Sequence, residues 1–146
     1  MKTLNQLFLN TPEILIEHLM IDSRKQMKNA LFYCLKGIVN DGHKFVNQAI
    51  KNGAKAIVYT DPIDVVDESI VLIHVDDVLN ALNESAKLFY DDPASQLTLF
   101  GVTGTNGKST IAKTIKEVYN NYQKTGYSGT ISIEYGNKVK KPNYTT

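Results

Sequence analysis

The sequence predicts an α/β protein in two parts: a small N-terminal α/β domain, 1–93, and the beginning of a second α/β domain, 94–146. Apolar runs of strand length alternate with runs of helical period along most of the chain. The connections between these runs are short, as in layered α/β folds with some parallel strand pairing. A polar, proline-containing step over 92–95 separates two such patterns and marks the predicted boundary.

The first domain is predicted from alternating helix and strand patterns. Apolar residues at helical spacing predict a helix in HKFVNQAIK, and Asn52-Gly53 ends it. The run KAIVYTDP predicts a buried strand over Ala56–Tyr59, and SIVLIHV predicts another. A second helix has Asp76 or Asp77 available as its N-cap and ends before Pro93. Its predicted inner face contains five apolar residues: Val78, Leu79, Leu82, Ala86 and Phe89.

The second part begins with a strand predicted in SQLTLFGVTG, which leads into a glycine-rich loop. A helix follows in KSTIAKTIKEVYNNY, and a strand over Ile131–Tyr135 then forms a Gly-Asn hairpin with Lys138–Lys140. About 50 residues are too few for a doubly wound nucleotide-binding domain, so we expect a fragment of a longer protein. The predicted inner face of the helix contains Ile111, Ile115, Val118, Tyr119 and Tyr122.

Composition argues against several classes of function. The chain has 16 basic and 15 acidic residues, a formal charge of +1, which gives no sign of a nucleic-acid or membrane-surface role. Its one cysteine, Cys34, lies in the apolar run LFYCLKG, which predicts a buried structural thiol in a reducing compartment. No apolar run reaches the roughly 18 residues that a membrane span needs. We expect a cytoplasmic monomer without a nucleic-acid or membrane partner.

The stretch GVTGTNGKST, which begins at Gly101, combines the features of a phosphate-binding loop. Gly104 and Gly107 leave room for phosphate oxygens, and the N-terminus of the following helix favours anions. Lys108 can reach the outer phosphates of a nucleotide, and the Ser109 hydroxyl can ligate Mg²⁺. Gly101, however, lies one residue further from Gly107 than the first glycine of the usual P-loop.

This unusual spacing resembles the loop of the Mur ligase family, G-x-x-G-T-N-G-K-[ST]. The matching residues are Gly101, Gly104, Thr105, Asn106, Gly107, Lys108 and Ser109. By this resemblance the second domain is the first strand, loop, helix and hairpin of a P-loop-type ATPase domain. The ATP-binding residues that it implies are Gly104, Thr105, Asn106, Gly107, Lys108, Ser109 and Thr110.

The first domain resembles the N-terminal, UDP-substrate-binding module of two types within that family, MurE and MurF. The shared pattern is D-S-R, F-x-x-L-x-G, D-G-H-x-F and A-x-x-x-G-A-x-A-[IV]. The stretch YSGTISI, followed by two threonines, resembles the MurE type alone, although Tyr144 stands where an asparagine often precedes the threonines. The residues that match the module are Asp22, Ser23, Arg24, Phe32, Leu35, Gly37, Asp41, Gly42, His43, Phe45, Ala49, Gly53 and Ala54.

The resemblance implies an ATP-dependent amide-bond ligase of peptidoglycan synthesis. Enzymes of the MurE type add the third amino acid to UDP-N-acetylmuramoyl-L-alanyl-D-glutamate, whose carboxylate ATP first converts into an acyl phosphate. The implied partners are that UDP-N-acetylmuramoyl-dipeptide and an amino acid, either lysine or meso-diaminopimelate, and the cofactors are ATP and Mg²⁺. The remaining machinery is expected beyond residue 146, so the 146 residues alone should have no ligase activity.

Several roles follow from the resemblance, residue by residue. Lys108 is the predicted catalytic cation, and Ser109 is the predicted magnesium ligand. Ser23 would contact the uridine-diphosphate end of the substrate, whereas Thr145 and Thr146 would contact its muramoyl-peptide part. These assignments place the substrate on residues from both ends of the chain.

Arg24 and His43 can each be interpreted in two ways. Arg24 can bind a pyrophosphate or carboxylate, or it can form a structural ion pair within the D-S-R turn. His43 opens a helix after Asp-Gly, where it can take part in capping or contact the substrate. For the whole chain, the alternatives are an ordinary P-loop hydrolase or kinase, a non-enzymatic UDP-substrate module, and a MurF-type or other Mur-family ligase.

Overall fold

The computed structural model describes residues 1–38, 40–65 and 67–142. The chain separates into two compact units, Met1–Gln96 and a second that begins at Leu97. No helix in the described part of the chain is long and apolar enough to cross a membrane.

The described part of the chain contains fifteen regular elements, of which two are 3₁₀ turns. In order they are β1 (Lys2–Thr3), α1 (Leu4–Leu7), β2 (Leu15–Ile16), β3 (His18–Met20), β4 (Ala30–Tyr33), a 3₁₀ turn (Gly42–Phe45), α2 (Val46–Lys51), β5 (Ala54–Tyr59), β6 (Val71–His74), α3 (Val78–Phe89), a 3₁₀ turn (Pro93–Gln96), α4 (Lys108–Tyr119), β7 (Gly126–Ser128), β8 (Ile133–Tyr135) and β9 (Lys138–Lys140).

A four-stranded parallel sheet in the order β3-β4-β5-β6 lies at the centre of the first unit. Strand β4 is buried along its whole length, and β5 exposes only Lys55 fully. Strands buried on both faces have continuous apolar sequences, which is why the sequence predicted β5, although no strand was predicted at β4. Because all four strands run the same way, their carboxyl ends lie at one edge of the sheet.

The two faces of this sheet pack against different helices. Along β4, Leu31 and Tyr33 belong to an apolar cluster that includes residues of α1 and α3. Ala30 and Phe32, which point the other way, belong to a second cluster with Val46 and Ala49 of α2. The first unit is therefore a three-layer helix–sheet–helix structure, and the α/β prediction for this part of the chain is confirmed.

The helix predicted before Pro93 is present as α3, with one error in its inner face. Asp77 is the N-cap, since its carboxylate accepts the N–H groups of Leu79 and Asn80 at 2.8 and 3.0 Å. Leu79 was predicted to be buried but is 57% exposed. The helix buries Val78 and Phe89, as predicted, and also Ser85, which was not predicted. Leu79 lies about 100° around the helix axis from Val78.

The second unit contains α4 and a three-stranded antiparallel sheet, β7-β8-β9. The predicted hairpin is confirmed, with Gly136 at φ +52° in its turn. Its first strand begins at Ile133 rather than Ile131, and β7 was not predicted.

Two predictions for the second unit are wrong. Among the described residues, 97–107 form neither strand nor helix, although a strand was predicted there. A strand needs a neighbour to accept its hydrogen bonds, and β7 pairs with β8 instead. Helix α4 is present, but it buries no residue completely, and Tyr122, predicted on its inner face, is 84% exposed. The three short strands cover too little of the helix to bury a full face.

Candidate functional site

The glycine-rich loop ends at the N-terminus of α4. Gly104 and Gly107 have φ angles of +142° and +77°, a backbone conformation that residues with a Cβ rarely adopt. Gly107 is the N-cap residue, and its carbonyl oxygen accepts the N–H of Ile111 at 2.9 Å. The two glycines thus allow the chain to turn into a 12-residue helix whose N-terminus favours an anion.

Gly101 has no comparable structural requirement. A Cβ placed at Gly101 would meet no atom within 4 Å, and its φ is not in the left-handed region. The glycine that distinguishes this loop from the usual P-loop spacing is therefore unexplained by its described neighbours.

The side chain of Lys108 folds back over the loop. Its Nζ donates hydrogen bonds to the carbonyl oxygens of Gly104 at 2.6 Å and Thr105 at 3.3 Å. An ammonium group forms stronger hydrogen bonds with anionic oxygens than with neutral carbonyls. A phosphate group in the loop can therefore compete for Lys108 with the carbonyl groups that it now contacts.

A cleft of about 470 Å³ lies beside this loop within the second unit. Lys108 and Ser109 line it from α4, and Ser128, Gly129 and Thr130 line it from the turn after β7. The structure therefore brings predicted nucleotide-binding residues next to the GT motif of YSGTISI, which the sequence linked to the family but not to a site. The other lining residues are Phe100, Gly101, Val102, Ala112, Tyr127, Ile133 and Pro142.

Tyr127 and Gly129 fit closely against each other in the wall of this cleft. A Cβ at Gly129 would collide with the hydroxyl oxygen of Tyr127, so the tyrosine side chain would have to shift to admit any other residue there. That hydroxyl is buried and has no hydrogen-bond partner among the described residues. Buried polar groups are usually paired, which makes this hydroxyl an exception.

Glu134 links α4 to the sheet of the second unit. Its carboxylate accepts hydrogen bonds from Lys116 Nζ at 2.6 Å and Ser132 Oγ at 2.7 Å, and Lys113 Nζ lies 3.1 Å away. The hydrogen bonds from Lys116, Ser132 and Lys113 lower the pKa of this carboxyl to about 2. The carboxylate therefore remains charged at neutral pH and holds the helix against β8.

In the first unit, the D-S-R turn follows β3 at the carboxyl edge of the parallel sheet. Arg24 forms a two-point pair with Asp22, at 2.8 Å through Nε and 2.9 Å through Nη2. This hydrogen bonding lowers the pKa of Asp22 to about 2. The structural ion pair is thus present, and the guanidinium side chain is still 80% exposed.

Ser23 is buried between these two residues. Its hydroxyl donates to Oε1 of Gln48 at 3.1 Å, and its carbonyl oxygen accepts Nδ2 of Asn52 at 2.6 Å. The turn is therefore fixed to α2 and its C-terminal end. The contact between Ser23 and a ligand stays a prediction, and the hydroxyl oxygen keeps a lone pair for it.

His43 lies close to the ends of two neighbouring strands. Its Nδ1 is 2.6 Å from the carboxylate of Asp41, and its Nε2 is within 3.2 Å of the backbone nitrogens of Thr60 and Asp61. Asp41 also caps the turn by accepting the N–H of His43 at 3.0 Å. The predicted capping role is thus fulfilled by Asp41, whereas the ring of His43 connects separate segments.

Asp41, His43 and Asp61 offer atoms within 4.8 Å of one another, as metal ligands can. Each group already has other partners, however. Nε2 of His43 accepts two backbone N–H groups, and the carboxylate of Asp61 pairs with Lys36. We interpret the group as a hydrogen-bond network. Lys36 and Asp61 were not among the predicted site residues. Only their positions, each after one of two adjacent strands, could have indicated that their side chains meet.

The predicted contacts of Thr145 and Thr146, and the unusual Tyr144, lie outside the described residues. His74, in contrast, lies on β6, where its Nε2 is 3.0 Å from the carbonyl oxygen of Thr60. Cys34 is fully buried, and burial raises the pKa of its thiol to about 12. Its predicted role as a structural thiol is consistent with that environment.

A family profile described as "Mur ligase family, catalytic domain" matches residues 15–90, just over half of the chain. The chain belongs to the Mur ligase family. The matched range lies within the first unit, so membership does not depend on the glycine-rich loop. It agrees with the resemblance drawn from the D-S-R and D-G-H patterns.

Several curated relatives of this chain have the same name. A UDP-N-acetylmuramoyl-L-alanyl-D-glutamate–2,6-diaminopimelate ligase of Halalkalibacterium halodurans is 38% identical over 90% of this chain and 26% of its own length. The protein of the same name from Geobacillus kaustophilus is 42% identical over 81% of this chain and 24% of its own. This chain therefore spans about a quarter of the length of the curated relatives that it matches.

Solved structures of Mur ligases share the fold. MurF from Acinetobacter baumannii aligns with a TM-score of 0.68 and 25% identity over 90% of this chain and 30% of its own. MurF from Thermotoga maritima in complex with ADP aligns with a TM-score of 0.56 and 24% identity over 73% of this chain and 24% of its own. At that identity the second likeness concerns the fold alone.

Proposed function

We propose that this chain is part of an ATP-dependent ligase of the MurE type, which adds the third amino acid to UDP-N-acetylmuramoyl-L-alanyl-D-glutamate in peptidoglycan synthesis. The observation that carries this proposal is the position of Lys108. Its side chain folds over a glycine loop at the start of α4, beside residues 128–130, in a chain that belongs to the Mur ligase family. The names of the curated relatives support this acceptor and favour 2,6-diaminopimelate over lysine as the added amino acid.

The loop residues suit a nucleoside triphosphate. ATP supplies the phosphoryl group that converts an unreactive carboxylate into an acyl phosphate. Lys108 would exchange its contact with Gly104 for phosphoryl oxygens and stabilise their charge. The hydroxyl of Ser109, which lines the same cleft, would hold Mg²⁺, and the remaining predicted contacts come from the loop and Thr110.

The first unit would bind the UDP end of the substrate at the carboxyl edge of its parallel sheet. Ligands of open α/β sheets bind at this edge. The edge carries Ser23 and Arg24 after β3, and the exposed guanidinium of Arg24 can add a diphosphate oxygen to its pair with Asp22. Thr145 and Thr146 are proposed to contact the muramoyl-peptide part.

In this proposal, each of the two domains predicted from the sequence binds one ligand. Residues 1–93 would bind the UDP-substrate, and 94–146 would contribute to the ATP site. We propose a monomer that works in the cytoplasm. Because the chain spans about a quarter of its relatives, the 146 residues alone should bind ligands without completing the reaction.

Titration calorimetry on the 146-residue chain tests this function. We expect saturable binding of ATP that weakens when EDTA removes magnesium, and separate binding of UDP-N-acetylmuramoyl-L-alanyl-D-glutamate. Lys108→Ala should weaken only the first, and Arg24→Ala only the second. A folded chain that bound ATP but no UDP ligand would favour an ordinary P-loop hydrolase or kinase. Binding of the UDP ligand without ATP would favour a non-enzymatic module.

A MurF-type ligase is the second candidate, because solved structures of MurF enzymes share the fold. The higher identity to the diaminopimelate ligases favours the first candidate. Comparing the dipeptide substrate with the corresponding UDP-N-acetylmuramoyl-tripeptide in the same calorimeter separates the two. Tighter binding of the tripeptide would support the MurF type.

A further inference from the structure

The imidazole of His43 is buried, with its side chain only 6% exposed, and both ring nitrogens have partners. Nε2 lies 3.1 Å from the backbone nitrogen of Thr60 and 3.2 Å from that of Asp61. Nδ1 lies 2.6 Å from Oδ1 of Asp41. The ring therefore connects the turn before α2 with the segment that follows β5.

These partners determine the tautomer of His43. Backbone N–H groups can only donate, so Nε2 must present its lone pair to Thr60 and Asp61. The proton of the neutral ring is then on Nδ1, which donates it to Asp41. His74 shows the opposite arrangement, because the carbonyl of Thr60 can only accept and Nε2 of His74 must donate to it. Two histidines thus hold the peptide groups on either side of Thr60.

The network joins residues that follow two adjacent strands. Lys36, three residues after the end of β4 at Tyr33, forms a β-bridge with Asp41. The ammonium group of Lys36 also pairs with the carboxylate of Asp61, after β5. His43 closes this circuit by binding both Asp41 and the backbone of Asp61. The circuit lies at the carboxyl edge, where the proposed function places the UDP end of the substrate.

We propose that His43 is a positioning residue that holds the segments after β4 and β5 in place for the UDP ligand, without contacting that ligand. This inference rests on the proposed function of the first unit. Neutral His43 is required, since a proton on Nε2 would face two N–H donors and break both hydrogen bonds. Ligand affinity should therefore fall when the acceptor that faces the N–H groups of Thr60 and Asp61 is removed.

Calorimetry with UDP-N-acetylmuramoyl-L-alanyl-D-glutamate on folded variants tests the inference. His43→Gln offers a side-chain oxygen as acceptor in place of Nε2, so its affinity should stay close to that of the wild type. His18→Gln, an exposed control in β3, should bind the ligand as the wild type does.

His43→Ala distinguishes positioning from a purely structural role. We expect a folded variant, by circular dichroism, that binds the UDP ligand about 30-fold more weakly, as expected when two hydrogen bonds worth about 1 kcal/mol each are lost. Unchanged affinity in folded His43→Ala would overturn the inference, and so would His43→Gln with an affinity as low as that of His43→Ala. Nitrogen NMR must find Nε2 of the neutral ring unprotonated, and a proton there contradicts the network. A wild-type chain that binds no UDP ligand instead overturns the proposed function, and this inference with it.

Discussion

Lys108 Nζ donates a 2.6 Å hydrogen bond to the carbonyl oxygen of Gly104, four residues earlier in the same loop. A bound phosphate would replace that neutral acceptor with a charged one. Lys108→Ala should therefore lower the affinity for ATP at least tenfold, since hydrogen bonds to charged groups contribute about 1.5–3 kcal/mol. Calorimetric titration with ATP and magnesium measures the change.

A matched control for this prediction is Lys124→Ala, which removes an exposed lysine of the same unit. It should leave ATP affinity within about twofold of the wild type, because exposed charges at a distance are screened by salt. Equal losses in the two variants would mean that the unit attracts ATP through its general positive charge rather than through the loop.

Tyr33 and Ser85 form the buried polar contact of the first unit's core. Their hydroxyl oxygens are 2.5 Å apart, and Ser85 also donates to the carbonyl oxygen of Ala81 at 2.6 Å. Ser85→Ala should destabilise the unit by about 1–3 kcal/mol, because it leaves the hydroxyl of Tyr33 buried without a partner. Urea unfolding followed by circular dichroism measures this free energy.

The double variant Tyr33→Phe/Ser85→Ala provides the decisive comparison. Once the orphaned hydroxyl is also removed, the desolvation cost disappears, so the double variant should be no less stable than Ser85→Ala alone. Additive losses would instead show that the two hydroxyl groups contribute independently.

At Tyr127 we expect a substitution to increase stability, because its buried hydroxyl has no partner among the described residues. Tyr127→Phe should raise the free energy of unfolding by up to about 1 kcal/mol, since a polar group no longer has to be buried unpaired. Tyr135→Phe, in the exposed part of the same sheet, should change stability little. Thermal unfolding of the two variants tests the difference, and a less stable Tyr127→Phe would reveal a partner for the hydroxyl.

The sequence predictions are accurate where the interactions that form an element join residues close together in the chain. The buried run of β5 and the Asp77 cap of α3 are coded by neighbouring residues, and the structure contains them. The strand predicted before the loop fails because a strand also needs a partner, which local pattern does not supply. The same limit applies to α4, whose apolar stripe exists in the sequence but remains mostly exposed.

The candidate sites also combine residues from one short stretch with contacts between residues far apart in the sequence. Gly104, Gly107 and Lys108 were predicted from spacing, because a phosphate-binding loop is coded within one short stretch, and their role in nucleotide binding stays a prediction. The bond between Ser23 and Gln48 joins residues 25 positions apart, and the pair of Lys36 and Asp61 joins adjacent strands of the sheet. Such contacts follow from strand order, which the sequence pattern did not determine.

Glu134 gives the second unit a dependence on pH. The hydrogen bonds from Lys116, Ser132 and Lys113 lower the pKa of this carboxyl from 4.5 to about 2. A carboxyl whose pKa is lower in the folded state stabilises the fold above pH 4.5, and this contribution is lost as the pH falls towards 2. We therefore expect the free energy of unfolding to fall more steeply over this range in the wild type than in Glu134→Gln.

Urea unfolding at several pH values between about 7 and 2 provides the two slopes. Glu117→Gln is the matched control, because it removes an exposed carboxylate from α4 without touching the contacts of Glu134. The control should follow the wild-type curve, whereas Glu134→Gln should be less stable at neutral pH and converge with the wild type in acid. If Glu134→Gln retained the wild-type slope, the charge of Glu134 would not be what holds α4 against β8.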